Sequence, residues 1–227
     1  MRYSKTQRPA ILVTALLALF TITINPAYPT GDSNMVKLPE PRTKGKVSLE
    51  EAINARRSVR QFTQRDLTLE EISQLLWAAQ GITDKTRSLR AVPSAGALYP
   101  LEIYLITRDG LFRYITEKHA LEILEKRDLR SDLAAAALGQ SSVKQAAADV
   151  VICAVFKRIT SKYGERGTRY AYIEAGHAAQ NIHLTAVSLG LASLPVGAFD
   201  DKSAQAVLKL DKDTTSLYII PVGAKRD

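Results

Sequence analysis

The chain of 227 residues contains one cysteine, one tryptophan and three histidines, and each scarcity removes a class of explanation. A lone Cys153 cannot close an intrachain disulfide or supply a thiolate cluster for zinc or iron. It lies inside the apolar run Val150–Phe156, where a thiol packs as a small hydrophobic group. His177 and His183 are six residues apart, a spacing that takes them off a common helix face, and His119 lies in a polar stretch. No metal site is expected from such a set. Internal repeats are absent. A concentrated stripe of positive charge is absent too, although the net charge is +8. Arg2, Lys5 and Arg8 precede a hydrophobic run, and without them 28 basic residues face 23 acidic ones, a net of +5. Charge dispersed in this way describes a solvated surface and argues against nucleic acid as a partner. Small anionic ligands remain suitable partners.

What is present fits one globular domain: 46% hydrophobic and 24% charged residues, enough to build a core without staples. Residues 1–30 are set apart from it. A basic start, an apolar stretch over residues 9–24 and the breaker Asn25-Pro26-Ala27-Tyr28-Pro29 read as a signal peptide or an N-terminal membrane anchor. Asn25 fits a cleavage pattern ending at Ala27 poorly, while the apolar stretch is shorter than the roughly 20 residues of a bilayer span. Both readings imply a domain outside the cytoplasm, either exported (periplasmic or extracellular) or membrane-anchored. Residues 31–47, rich in Pro, Gly and Lys, read as a linker, and residues 48–227 as the domain.

Two capping boxes open that domain. Ser48-Leu49-Glu50-Glu51 and Thr68-Leu69-Glu70-Glu71 each place a hydroxyl three residues before a glutamate, so each should start a helix. The second helix should stop at a left-handed Gly81, with Trp77 packed against the core. Strands are expected over Leu101–Thr107, Val150–Phe156 and Leu217–Val222, and helices over residues 121–140 and 170–189, the latter ending at Gly190. Helices interleaved with apolar strands imply an α/β or α+β sandwich whose helices cover a mixed sheet.

Three stretches carry chemistry. In Arg56-Arg57-Ser58-Val59-Arg60, three guanidinium groups and a hydroxyl fall within five residues and can surround a phosphate. Basic side chains also suit a helix end, and spacing alone does not choose between the two. Pro93-Ser94-Ala95-Gly96-Ala97-Leu98-Tyr99-Pro100 places very little side chain before a core strand, which permits close approach of backbone to a ligand. Ala175, Gly176, Ala178 and Ala179 form a small helix surface suited to a close helix neighbour or a flat ligand.

These stretches, together with Glu174-Ala175-Gly176-His177-Ala178-Ala179-Gln180-Asn181, Leu194-Pro195-Val196-Gly197 and the terminal Pro221-Val222-Gly223-Ala224-Lys225-Arg226, resemble the nitroreductase family in the same order. The segments "PSAGALYPLEIY" and "KYGERGTRYAYIEAGHAAQNIHLTAVSLGL" are most similar to its SagB-type dehydrogenase branch. The resemblance implies an α+β fold, an α/β/α sandwich, in a homodimer sharing an FMN site. It also implies oxidoreductase activity with NADH or NADPH as possible donor and a small-molecule or modified-peptide substrate. Carried over by position, Arg56, Arg57, Ser58 and Arg60 would hold the FMN phosphate and ribityl chain, with Lys225 and Arg226 closing on the phosphate. Pro93, Ser94, Ala95, Gly96, Ala97 and Tyr99 would lie along the flavin from the partner subunit, and Pro195, Val196 and Gly197 would cover another part of the ring. Many members have an asparagine where this chain has Ala97, which leaves ring contacts to backbone groups and Ser94. Lys162 and Tyr163 match a Lys-Tyr pair implicated in proton removal in the SagB-type branch; a solvated loop start is the competing reading. His177 is expected to pack near the dimer contact or the flavin. Tyr163, Tyr170 and Tyr172 are candidates for a substrate entrance. The alternative to an enzyme is a membrane-tethered flavin-binding or interaction protein that keeps the scaffold without turnover.

Overall fold

A computed structural model describes residues 30–32 and 34–226 of the chain. Both capping boxes form. Glu51 N donates to Ser48 Oγ (3.1 Å) and Ser48 N to the Glu51 carboxylate (2.7 Å), opening α1 (Leu49–Ala55). Thr68 and Glu71 make the same exchange at 3.2 and 2.8 Å to open α2 (Leu69–Gln80). Reciprocal bonds of this kind satisfy donors that the first helical turn leaves unpaired. The stop of α2 differs from expectation, because Gly81 is extended (φ −65°, ψ 152°). Its missing side chain makes room for the Trp77 indole, into which a Cβ at position 81 would run.

The central sheet uses β1 (Thr30–Asp32), β2 (Met35–Lys37), β5 (Leu101–Thr107), β6 (Gly110–Ile115), β7 (Ala120–Glu125), β8 (Ala148–Val155), β9 (Ala192–Ser193) and β10 (Thr214–Gly223). A separate two-stranded piece, β3 (Ile82–Asp84) with β4 (Leu89–Arg90), follows α2. The order across the large sheet is β1-β2-β7-β6-β5-β8-β10-β9. All its named pairings are antiparallel, and the parallel component of the expected mixed sheet is the isolated bridge between Ser58 and Ser193.

The helix expected over residues 121–140 is two things. Leu121 and Ile123 are buried while Glu122 between them is less so, the period of two that makes β7 a strand. The chain then turns at Asp128, whose carboxylate accepts from Arg130 N (3.1 Å), and α3 (Arg130–Ala136) and α4 (Ser141–Gln145) follow. Residues 31–47, expected as a linker, are partly built into the fold: Val36 pairs with Leu121, and Val36 and Leu38 are buried. Beyond them the Pro39 carbonyl oxygen accepts from Ser73 Oγ at 2.5 Å and lies 2.9 Å from His119 Nε2. Apolar surface and two polar contacts thus fasten the segment to the edge of the sheet.

Helices cover both faces. Val150 and Ile152 of β8 pack with Leu75 and Leu76 of α2 and with the stripe Ala171, Ala175, Ala178, Ile182 of α6 (Arg166–Ser188). Val151 and Cys153, alternating with them, pack with Leu133 of α3 and Leu208 just after α7 (Asp201–Val207). The burial of β8 on both faces explains its unbroken apolar sequence. A short α5 (Phe156–Tyr163) leads from β8 into α6, which begins four residues before the expected start and ends before Gly190 (φ 71°). No helix among the described residues is long and apolar enough to cross a membrane. The signal or anchor segment, including residues 9–24, lies outside the described residues.

Adding a methyl group at Gly81 forces Trp77 out of its seat. Gly81→Ala should lower stability by about 1–3 kcal/mol, the cost of overpacking a close contact, measured by urea denaturation. An unchanged midpoint would show that Trp77 has room to move.

Candidate functional site

Sequence-distant cations meet at one edge of the sheet. After α1 the chain runs extended: Val59 N donates to Ser193 O (3.1 Å), Phe62 bridges Lys225, Thr63 N donates to Ala224 O (2.9 Å), and Arg226 N donates to Gln61 O (3.3 Å). Phe62 is the anchor, buried against Ala146 and Ala192. These bonds lay Gln61–Thr63 against Ala224–Arg226 and Ser58–Val59 against Ser193, so the segment that carries Arg56, Ser58 and Arg60 runs into the one that carries Lys225 and Arg226. Arg57 turns back, its Nη1 donating to the carbonyls of Asn54 (2.9 Å) and Arg56 (2.7 Å), which is the helix-end role. None of Arg56, Arg57, Arg60, Lys225 and Arg226 has a salt bridge among the described residues. Gathered cations without carboxylates repel one another, and a bound anion relieves that repulsion. Pro195, Val196 and Gly197 continue from β9, with Val196 buried and bridged to Ile219. Gly197 is exposed, and a Cβ on it would make only ordinary contact with Tyr218, 3.8 Å away.

The Pro93–Tyr99 loop lies elsewhere along α6. Gly96, Ala97 and Tyr99 have φ of 63°, 53° and 46°, and two of these three are side-chain-bearing residues in a costly conformation. Ser94 holds the loop closed, its Oγ accepting from Tyr99 N (2.9 Å), so the hydroxyl expected to face a ligand is engaged internally. The Arg90 guanidinium lies 4.5 Å above the Tyr99 ring, and Arg158 Nη1 donates to Tyr99 O (3.3 Å). Lys162 and Tyr163 meet at Gly96: a Cβ built there would stand 2.8 Å from Tyr163 Oη and 3.0 Å from Lys162 Nζ. The pair is therefore packed on the loop.

From that pair a concavity of about 1260 Å³ opens along the start of α6, lined by Tyr163, Tyr170 and Tyr172 with Lys162, Arg166 and Arg169. The Tyr163 and Tyr170 rings meet edge to face at 5.3 Å. On the far side of Tyr99 a smaller cavity, about 420 Å³, is also lined by arginines. Those are already paired, Arg90 with Glu117, Arg113 with Glu122 and Arg158 with Glu102. In the first cavity Lys162, Arg166 and Arg169 have no salt bridge among the described residues, although Glu165 also lines it. His177 is exposed on this chain.

Two side chains with no assigned role in the sequence join these pieces to α6. Glu174 Oε1 accepts from Ala95 N (2.9 Å), and His183 Nδ1 lies 2.7 Å from Ser193 Oγ. Both are buried on the helix face made by Ala171, Ala175, Ala178 and Ala186. A carboxylate and an imidazole at core positions of an alanine stripe were the available signal. Their separation of nine residues sets the loop and the cation cluster about 13 Å apart along one helix axis. Burial, and then the nearby Arg56 guanidinium, pull the His183 pKa down to about 4.

An imidazole that stays neutral in the fold and protonates readily when unfolded makes stability fall as pH drops from about 6.5 toward 4. Replacing His183 by Gln should flatten that part of the stability curve by an amount on the order of a few kcal/mol, read from urea denaturation at a series of pH values. An identical slope in both proteins would contradict a neutral His183.

The comparisons with known proteins follow the same lines. The model of the nitroreductase family matches residues 53–224. A Methanocaldococcus jannaschii protein, MJ1384, which carries a provisional nitroreductase name, is 41% identical over 201 residues, 86% of this chain and 98% of its own. The microcin B17-processing protein McbC of Escherichia coli, a SagB-type relative, is 27% identical over 68% of this chain and 61% of its own length. Among solved structures, one from Ralstonia eutropha JMP134, also provisionally named a nitroreductase, superimposes with a TM-score of 0.78 at 27% identity, covering 88% of this chain and 93% of its own. A family match over most of the described sequence and a full-length relative at this identity place the chain in the nitroreductase family, among the oxidoreductases.

Proposed function

We propose that the protein is an FMN-dependent oxidoreductase of SagB type. It works as a homodimer and passes electrons from a reduced nicotinamide to a small-molecule or modified-peptide acceptor. The observation that carries this reading is the pairing of a cationic segment, without salt bridges among the described residues, with a strained loop of small residues on which Lys162 and Tyr163 converge. The donor set fits the cofactor: fixed positive charge for a phosphate, and exposed backbone at Gly96 and Ala97 for a flat ring. When bound, FMN supplies the redox chemistry itself.

The chain's own residues divide the remaining work. Arg56, Ser58 and Arg60, with Lys225 and Arg226, hold the phosphate, while Arg57 fixes the end of α1 and thereby the angle at which its neighbours leave the helix. Pro93–Tyr99 supply a backbone surface, and Pro195–Gly197 a second one. Lys162 Nζ and Tyr163 Oη lie close enough to one point beside Gly96 to hold and pass a proton there, at the mouth of the tyrosine-lined concavity. Two halves of a site about 13 Å apart along one helix support completion by a second copy. The exposed face of α6 beside the loop, with Tyr172, Ile173 and Gly176, suits that contact. The basic start and apolar stretch of residues 2–24 support export or membrane attachment.

Purified protein should be yellow or take up FMN, and NADH or NADPH under anaerobic conditions should bleach the flavin absorbance. A colourless protein that cannot be reconstituted would sink the proposal. Arg60→Ala should weaken FMN binding about tenfold or more, as expected for a charge-assisted phosphate contact, with the melting temperature nearly unchanged. Equilibrium titration of flavin fluorescence reads the first and calorimetry the second. Tyr163→Phe should keep FMN and lose roughly 100-fold in turnover if its hydroxyl handles a proton. Turnover equal to that of the parent protein would confine Tyr163 to packing.

A further inference from the structure

Glu174 is 4% exposed and sits on the alanine stripe of α6. An ionised carboxylate in such a place is costly unless it is hydrogen-bonded. It has no salt bridge among the described residues, and its tie is to the loop: Ala95 N donates to Oε1 at 2.9 Å. Burial pushes its pKa up, and the Ala95 N–H, the Ser94 hydroxyl and the His177 ring pull it back down. Two of those four influences come from the loop itself.

The bonds that hold the loop are unevenly spread. Its second half is secured by Arg158 on Tyr99 O, by Arg90 over the Tyr99 ring and by Val155 N on Pro100 O. Its first half is closed locally, by Ala97 N on Ser94 O and Tyr99 N on Ser94 Oγ. Among the described residues, the long-range hydrogen bond of Ser94–Ala97 is the one that Ala95 N donates to Glu174. Gly96 and Ala97, the residues at positive φ next to Lys162 and Tyr163, follow directly after it. A backbone held in a sparsely populated conformation persists only when its surroundings fix it.

We propose that Glu174 is a positioning residue: by accepting from Ala95 N it fixes the Gly96 peptide beneath Lys162 and Tyr163, in the arrangement that receives the flavin ring. The part concerning the flavin rests on the function proposed above; the part concerning the loop does not. A carboxylate suits the task because it is a strong acceptor with no donor hydrogen to satisfy among alanines. A glutamine keeps an oxygen acceptor for the Ala95 amide, whereas an alanine removes it.

The test uses the full chain, without flavin and then titrated with FMN. In Glu174→Ala, hydrogen exchange at the Ala95 amide should speed up by about tenfold or more while amides of β8 keep their protection. FMN should bind about tenfold more weakly. In Glu174→Gln both quantities should return to within about threefold of the parent protein. Unchanged Ala95 exchange in a folded Glu174→Ala protein would overturn the proposal, and so would a Glu174→Gln protein as impaired as Glu174→Ala. Should the alanine variant fail to fold, Ala95 exchange in the glutamine variant decides alone: protection retained supports the clamp and protection lost refutes it. If even the parent protein takes up no FMN, the flavin reading fails while the exchange measurement still judges the clamp.

Discussion

The closeness of α6 to the sheet is the constraint on which the site depends. Its buried face is made of Gly167, Ala171, Ala175, Ala178, Ala179, Ile182 and Ala186, and short side chains let the helix lie near β8 and β10. Only two polar side chains interrupt that face, and each ends on a different functional stretch. Glu174 reaches the loop at Ala95, and His183 reaches Ser193, whose carbonyl in turn receives the amide of Val59. A rigid helix thereby fixes a small-residue loop and a cationic strand at a set distance, although neither stretch has rigid secondary structure of its own.

Two textures of sequence correspond to two kinds of binding surface. The cationic segment is held by backbone bridges from Ser58 and Val59 to Ser193 and from Gln61–Thr63 to Ala224–Arg226, with Phe62 as the buried peg. Its charges have no salt bridge among the described residues, whereas arginines close by in space to the loop are neutralised by glutamates. The loop, by contrast, offers peptide groups at positive φ and little side chain. Charge at one place and bare backbone at another are the complementary requirements of an anionic chain attached to a flat ring.

Much of this was legible in the sequence, and the failures have identifiable causes. Ser48 and Thr68 were readable because a capping box is local and its partners are three residues apart. The motifs of the family were readable as an ordered set, with the fold they imply. The strand Ala120–Glu125 reads as helix in sequence because Leu121, Ile123 and Leu124 satisfy a helical count as well as an alternating one, and only pairing with β2 and β6 decides between them. Gly81 after a helix suggests a left-handed stop, whereas its contact with Trp77 is the reason for a glycine there. Residues 35–39 were polar enough in company to read as linker, yet Val36 and Leu38 are core residues because β7 offers them an edge. Glu174 and His183 gain no role from local reasoning, since their partners are 79 and 10 residues away.

The placement of β1 at the sheet's first edge has a consequence for how the molecule can be attached to anything. Seven inter-strand steps separate β1 from β9, where the cation cluster lies. At roughly 4.8 Å per step this is about 34 Å of sheet. The natural twist of roughly 20° per strand also turns the two edges toward widely different directions. Chain that precedes Thr30 therefore joins the fold on the side away from the charged edge. Were a surface to hold the molecule by that chain, the charged edge would stay free to face solution.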